Sequence, residues 1–356
     1  MPTPRALTPA RRLPLIAAVL AVVLAIGGSA YALGTGEAKT TATPSAAAAG
    51  AKGVERKVKI GVFRGTSPWE VDQFGDWLGR DVHYAVDYST RTTWKEIADP
   101  EWMLSTWEGS PYRMVYGVAM LPIGKGDKST IAKGAKGKYN KHYRELAKNL
   151  VKHGQGDAIL RLGWEFNHPS YRWHPTNQKQ FVTYWRKIVK TMRSVPGASG
   201  LQFDWNVNNG NQSKPNFDPT KYYPGNKWVD YIGVDIYDIS WPHYPYPKNC
   251  GKACRLKQQK KAWKLVTGQQ YGLNFWADFA RRKGRPMALP EWGVWKRKDG
   301  HGGADNPYYV TQMHKFINNP KNKVAYHAYF EFSAPSGDHR LSAMKNSGKR
   351  FKKLFG

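Results

Sequence analysis

The 356-residue chain has only two cysteines, Cys250 and Cys254, in the segment Cys-Gly-Lys-Ala-Cys. Two thiols at this spacing, with no further ligands at finger-like intervals, exclude a structural zinc module and a disulfide-stapled miniature fold. In an oxidising compartment they suit one short disulfide that pins a loop. The ten histidines form no metal-ligand pattern, and His168, His174 and His243 read as ordinary loop residues. No metal or cofactor is expected. Acidic residues are scarce too, 26 against 55 Lys and Arg, which leaves a net charge of +29. Such a field favours anionic surfaces and polymers. The lysines are scattered and no nucleic-acid-binding motif accompanies them, so nucleic acid is not an expected partner. No short internal repeat is present.

Long apolar runs are also few. Residues 13–32 form one, preceded by Arg5, Arg11 and Arg12 and ending in Ala30-Tyr31-Ala32. This pattern reads as a secretory signal peptide, or as an uncleaved N-terminal membrane anchor, and in either case places the remainder outside the cytoplasm. Setting residues 1–32 aside removes three arginines and no acid, so about +26 remains. Residues 33–56 are rich in Ala, Thr, Gly and Lys and read as a flexible linker. Residues 57–356 are long enough for one barrel-sized domain, expected to be a monomer. The chain contains 15 Trp and 20 Tyr. Aromatic faces stack on sugar rings, so this abundance points toward a carbohydrate.

Eight apolar runs each end in polar or aromatic residues: 58–64, 82–89, 113–121, 158–165, 201–208, 231–238, 287–294 and 326–333. Between most of them, segments such as 143–153, 181–192, 274–282 and 308–317 carry apolar residues at three- and four-residue spacing. Strand and helix alternating eight times predicts an α/β protein, a (β/α)8 TIM barrel, whose chemistry sits at the carboxyl ends of the strands.

Two strand ends stand out. The fourth run leads into Trp164, Glu165, Asn167, His168, Tyr171 and Trp173, and the seventh contains Pro290-Glu291-Trp292-Gly293. Pro290 has no amide hydrogen, as expected where a strand departs from its ladder. In a closed barrel Glu165 and Glu291 would face one mouth. Two carboxyl groups across a sugar-sized cleft are the equipment of glycoside hydrolysis, one protonated and one ionised. Arg161, within the fourth run, can pair with a carboxylate inside the barrel. Asn206 and Asn208, ending the fifth run, can offer amides to sugar hydroxyls, and Trp173, Trp241 and Trp295 can stack on sugars.

The motifs Arg161-Leu162-Gly163-Trp164-Glu165-Phe166-Asn167, Tyr231-Ile232-Gly233-Val234-Asp235-Ile236-Tyr237 and Pro290-Glu291-Trp292-Gly293 resemble glycoside hydrolase family 26, best known for endo-β-1,4-mannanases. The resemblance runs from about residue 57 to about residue 333 and implies a retaining glycosidase. By that resemblance Glu165 is the acid/base, Glu291 the nucleophile, and Tyr237 a phenol that holds the nucleophile. Trp164, Asn167, Trp173, Asn206, Asn208, Tyr237, Trp241, Trp292 and Trp295 form the expected substrate-binding set. Many mannanases of that family have His immediately before the acid/base, where this chain has Trp164.

The expected function is therefore secreted endo-hydrolysis of a β-mannan-type polysaccharide. β-1,3-Xylan, mixed-linkage β-glucan and an acidic envelope glycan are the alternative substrates, and an inactive carbohydrate-binding or envelope-associated barrel is the alternative class. A basic trio, Lys296-Arg297-Lys298, follows Trp295 and is placed to rim the cleft and read an acidic substituent.

Overall fold

In the computed structural model the described residues are 58–211 and 217–356. The expected leader 1–32 and linker 33–56 lie outside them. Among the described residues no helix is long and apolar enough to cross a membrane.

Eight parallel strands close into a barrel: β1 (Lys59–Phe63), β2 (Tyr84–Tyr88), β3 (Arg113–Val118), β4 (Ile159–Leu162), β5 (Gln202–Asn208), β6 (Tyr231–Tyr237), β7 (Met287–Gly293) and β8 (Val324–Phe330). Each pairs with its sequence neighbours, and β1 closes on β8 through the register Lys59↔Tyr326. The (β/α)8 expectation holds, with the strands generally shorter than the apolar runs. The eighth strand starts at Val324, before the expected 326, and β4 stops at Leu162, so Glu165 stands three residues beyond the strand. Gly163 and Glu165 both adopt positive φ, 56° and 50°, and this turn ends β4.

Among the described residues ten α-helices wrap the sheet: α1 (Pro68–Leu78), α2 (Trp94–Ala98), α3 (Glu101–Trp107), α4 (Ile131–Ala135), α5 (Asn140–Lys152), α6 (Gln178–Arg193), α7 (Lys252–Gly268), α8 (Leu273–Lys283), α9 (Pro307–Ile317) and α10 (Lys345–Phe355). Their starts follow local chemistry. Ser67 accepts from the Glu70 amide with Pro68 behind it, and Asn177 accepts from the Gln180 amide, so both close open helix ends with a side-chain oxygen. The apolar stripes of α5 and α6 bury Leu146 and Leu150, and Trp185 and Ile188, against the outside of the barrel.

The core accordingly has two parts. A large one lies between sheet and helices, and a smaller one inside the barrel contains Tyr84, Val86, Val115, Ile159, Ala288, Tyr326 and Ala328. Above these interior residues, strand alternation continues inward with Tyr88, Arg161, Asn206, Asp235 and Tyr237, a polar layer on an apolar floor.

Strand β7 breaks the alternation. Leu289 pairs with His327 and Trp292 with Tyr329, three residues against two on β8. The extra residue is a bulge at Pro290-Glu291, where the proline supplies no ladder hydrogen. It shifts the side-chain parity, so Glu291 reaches Arg161 inside while Trp292 turns out to pack on Phe351 and Phe355.

Gly233 on β6 lies against the buried carboxyl of Asp204, and a Cβ there would come within 2.2 Å of Asp204 Oδ1. We expect Gly233→Ala to lower stability by at least about 2 kcal/mol in urea unfolding, because the Asp204 carboxyl is fully buried and has little room to move away. A change below about 0.5 kcal/mol would show that the barrel interior is loosely packed there.

Candidate active site

Arg161 is the centre of the polar layer and is fully buried. Its Nη1 donates to the Tyr88 hydroxyl at 2.7 Å, its Nη2 to Asn206 Oδ1 at 3.0 Å and to Glu291 Oε2 at 3.1 Å, and it ion-pairs closely with Asp235. Asn206 completes the ring by donating Nδ2 to Asp235 Oδ1 at 3.0 Å. Burial opposes the guanidinium charge, but Asp235, Tyr88 and Glu291 more than reverse this and raise its pKa further.

Glu291, whose side chain is 13% exposed, receives donors on both oxygens. Tyr237 donates to Oε1, while Tyr88 and Arg161 donate to Oε2. Three donors converging on one carboxyl group fix its orientation.

Glu165 is supported from other elements. Tyr171 donates to its Oε2 at 2.8 Å, and Asn208 donates to its Oε1. Trp164 Nε1 in turn donates to the Tyr171 hydroxyl at 3.0 Å. Asn167 holds Asn208 by a reciprocal pair, accepting from its amide and donating to its carbonyl, both at 2.8 Å. Burial first, and the negative charge of Glu291 second, push the Glu165 carboxyl up to about 7, against the donors Tyr171 and Asn208 and the charge of Arg161. One mouth thus contains a carboxyl group that retains its proton to near neutrality and a second carboxyl group gripped by three donors.

The structure places the remaining expected site residues as follows. Tyr237 touches Glu291, Asn208 touches Glu165, and Trp164 lies one step behind through Tyr171. Trp241 stands 63% exposed on the loop after β6, and Trp295 is half-buried 5.2 Å from the Tyr237 ring. Four expectations need correction. Trp173 is fully buried, with Nε1 on the Trp164 carbonyl and its ring stacked on Tyr171. Trp292 faces the helices because of the bulge. Asn206 is consumed by Arg161 and Asp235 inside the barrel, and Asn167 is committed to the Asn208 backbone. These four support the site from behind and present nothing to a sugar.

Sequence reasoning missed Tyr88 as a site residue, although it ends β2, and named Tyr171 without giving it a role. It also missed His339, which follows β8 and packs 4.8 Å from Tyr237 and 4.7 Å from Trp295. Burial holds that imidazole down at about 4, and its Nδ1 donates to the Val294 carbonyl at 3.0 Å. Nothing in its local sequence marked it.

Cys250 and Cys254 form a disulfide between the loop after β6 and the first turn of α7. Among the described residues no group of three or more His, Cys, Asp or Glu is arranged to hold a metal ion.

Residues 147–249, which carry Glu165, its loop and Asp235, match the model of Glycosyl hydrolase family 26. Over those residues the barrel is similar to that family. It is 26% identical over 201 residues to Endoglucanase H of Acetivibrio thermocellus, an alignment that takes in 51% of this chain and spans about one fifth of that relative's length (20%). The same barrel fold recurs in a Cellulomonas fimi endo-β-1,4-mannanase double mutant (TM-score 0.55, 15% identity, 85% of this chain and 72% of that one). It recurs again in the catalytic domain of a Bacillus sp. JAMB-750 endo-β-1,4-mannanase of family 26 (TM-score 0.53, 14% identity, 84% and 87%). At such identities the two structures share the architecture. The class that the family match supports is glycoside hydrolysis.

The raised Glu165 carboxyl has a consequence for stability. Its folded value near 7 lies above the ordinary 4.5. The native state therefore keeps a proton that the unfolded chain has released, and stability is lost as pH rises through about 4.5–7. Glutamine at this position keeps an acceptor for Asn208 and cannot ionise. We expect Glu165→Gln to raise the melting temperature at pH 8 by roughly 3–5 °C, with the gain disappearing below about pH 4.5. An equal gain at both pH values would mean that ionisation of Glu165 is not its source.

Proposed function

We propose that the protein is a secreted, retaining endo-β-glycosidase that cleaves a β-mannan-type polysaccharide by double displacement. The observation that carries this reading is the unequal pair in one mouth, Glu165 pushed to about 7 by burial and by Glu291, and Glu291 held by Tyr88, Tyr237 and Arg161. In the first step Glu165 gives its proton to the glycosidic oxygen while a Glu291 oxygen attacks the anomeric carbon. The bond to the leaving sugar breaks, and a glycosyl ester forms on Glu291. In the second step Glu165, now a carboxylate, takes a proton from water as the water oxygen attacks the same carbon and Glu291 departs. Arg161, Tyr88 and Tyr237 hold the carboxylate on its attacking line and receive it when it leaves.

Substrate class is supported by the family match and by exposed Trp241 and half-buried Trp295 beside the mouth. Trp164 stands where many mannanases of the family have histidine. Here its indole steadies Tyr171 on Glu165, so the departure acts on the support of the acid rather than on the paired carboxyl groups. Export is supported by the apolar segment 13–32 and by a disulfide suited to an oxidising compartment.

Either Glu165→Ala or Glu291→Ala should reduce kcat/KM on β-1,4-mannan by about 10²-fold or more. Proton NMR of the first product should show the β anomer before mutarotation. Initial release of the α anomer, or a Glu291→Ala variant with undiminished turnover, would sink the double-displacement reading.

The charge of about +26 on residues 33–356 exceeds what solubility requires. On this reading the enzyme stays at an anionic surface such as a bacterial envelope, where opposite charge lengthens residence. Sedimentation with purified cell walls should show binding that weakens steeply as salt rises from about 0.05 M to about 0.5 M. Binding indifferent to salt would contradict retention by charge.

A further inference from the structure

Beside the mouth lies a second concavity, a cavity of about 520 Å³ between the loop that carries the disulfide and the residues after β7. Three cations line it, Arg255, Lys296 and Arg297, and no acidic residue does. Its membership differs from the basic trio of the sequence, since Lys298 is not part of the lining and Arg255 arrives from α7.

Each cation is held differently. Arg255 is fixed by donating Nε to the Cys250 carbonyl at 3.0 Å and by lying 4.9 Å over the Tyr246 ring. Arg297 is fixed by Asp299, Nε to Oδ1 at 2.9 Å, and by the ring of Trp295 at 4.2 Å. Lys296 is exposed. Among the described residues neither Arg255 nor Lys296 pairs with a carboxylate, although Arg64, Arg113, Arg172, Arg193, Arg281 and Arg340 all do. The cavity also takes in Gly251, where α7 begins without a capping side chain and with no acid in its first turn. The amides there add partial positive charge on the same side.

This concavity is close to the reacting groups. Arg297 lies on Trp295, Trp295 packs 5.2 Å from Tyr237, and Tyr237 donates to Glu291. Arg297 also lies 5.8 Å over the ring of Trp241, which is largely exposed. A glycan stacked on Trp241 would therefore pass the cations only a few residues from Glu291.

We propose that this cavity binds the carboxylate of a uronic-acid unit in the glycan, and that it selects acidic chains over neutral ones at a subsite beyond the cleaved bond. The inference rests on the glycosidase reading for its link to Glu165 and Glu291, but the binding it states does not require turnover. Two charged hydrogen-bond donors with no carboxylate of their own gain a partner, and the glycan carboxylate meets donors in place of water.

The test uses the full chain carrying Glu291→Ala, so that nothing is consumed, and two probes that differ only at the sixth carbon. These are a β-1,4-linked mannuronate hexasaccharide and β-1,4-mannohexaose, each titrated by calorimetry. We expect the acidic probe to bind about tenfold tighter at about 0.05 M salt, and the preference to shrink toward unity at about 0.5 M. Adding Arg255→Gln and Lys296→Gln should lower the ratio of the two affinities by about tenfold. Equal affinities, a preference indifferent to salt, or failure of the acidic probe to bind would each overturn the inference, and none of these depends on how the double variant folds. A ratio unchanged in a double variant that retains its unfolding temperature would overturn the assignment to this cavity. Acidic preference in a native enzyme that cleaves no glycan would support the inference and remove the glycosidase reading. Cleavage of neutral mannan without acidic preference would do the reverse.

Discussion

A guanidinium enclosed in the middle of a barrel has no water to fall back on, and every one of its donors must find an acceptor among the surrounding strands. Arg161 meets that demand from four directions, with Tyr88 on β2, Asn206 on β5, Asp235 on β6 and Glu291 on β7. Breaking a buried pair of this kind typically costs about 3–5 kcal/mol, because the abandoned charge remains enclosed. The ring therefore ties the relative heights of four strands to one side chain. It also means that Glu291 is positioned by the same group that balances its charge, so orientation and electrostatics cannot drift independently.

Glu165 belongs to a different support. Its donors, Tyr171 and Asn208, are held by Trp164 and Asn167; Asn208 ends β5, and the other three lie in the loop that follows β4. Two carboxyl groups that share one mouth thus draw on separate frameworks, one an ionic ring and the other a set of neutral donors under aromatic cover. This division is what allows burial to dominate at Glu165 while three donors, one of them cationic, converge on Glu291. Neighbouring acids with separate surroundings are how one site has both a proton donor and a carboxylate at the same pH.

The barrel was legible because its strands are buried on both faces and bounded by polar ends, a pattern that eight repetitions make hard to produce otherwise. Glu165, Glu291 and Tyr237 were legible because they interrupt or end those runs. The indoles were not. Trp173, Trp241, Trp292 and Trp295 look alike in sequence, yet two are core and two border the mouth. What turns Trp292 outward is strand parity, which depends on a bulge visible only once β7 and β8 are paired, whereas Trp295 lies beyond the end of β7. The asparagines failed for a related reason. An amide reads as a sugar ligand or as a brace with equal ease until its partners are known, and Asn206 and Asn167 are braces. His339 and Arg255 reach their places through chain closure alone, with no local signal.

The bulge at Pro290-Glu291 has a meaning for how this site can change over time. Which side chain faces the cavity along β7 is an even-or-odd question, and the bulge decides it by one residue. Substitutions nearby alter the site by degrees. Straightening the strand at Pro290 with the number of residues unchanged would instead exchange a carboxylate for an indole at the mouth. The face that Glu291 takes is in that sense written in how β7 pairs with β8, and not in the sequence of β7 alone.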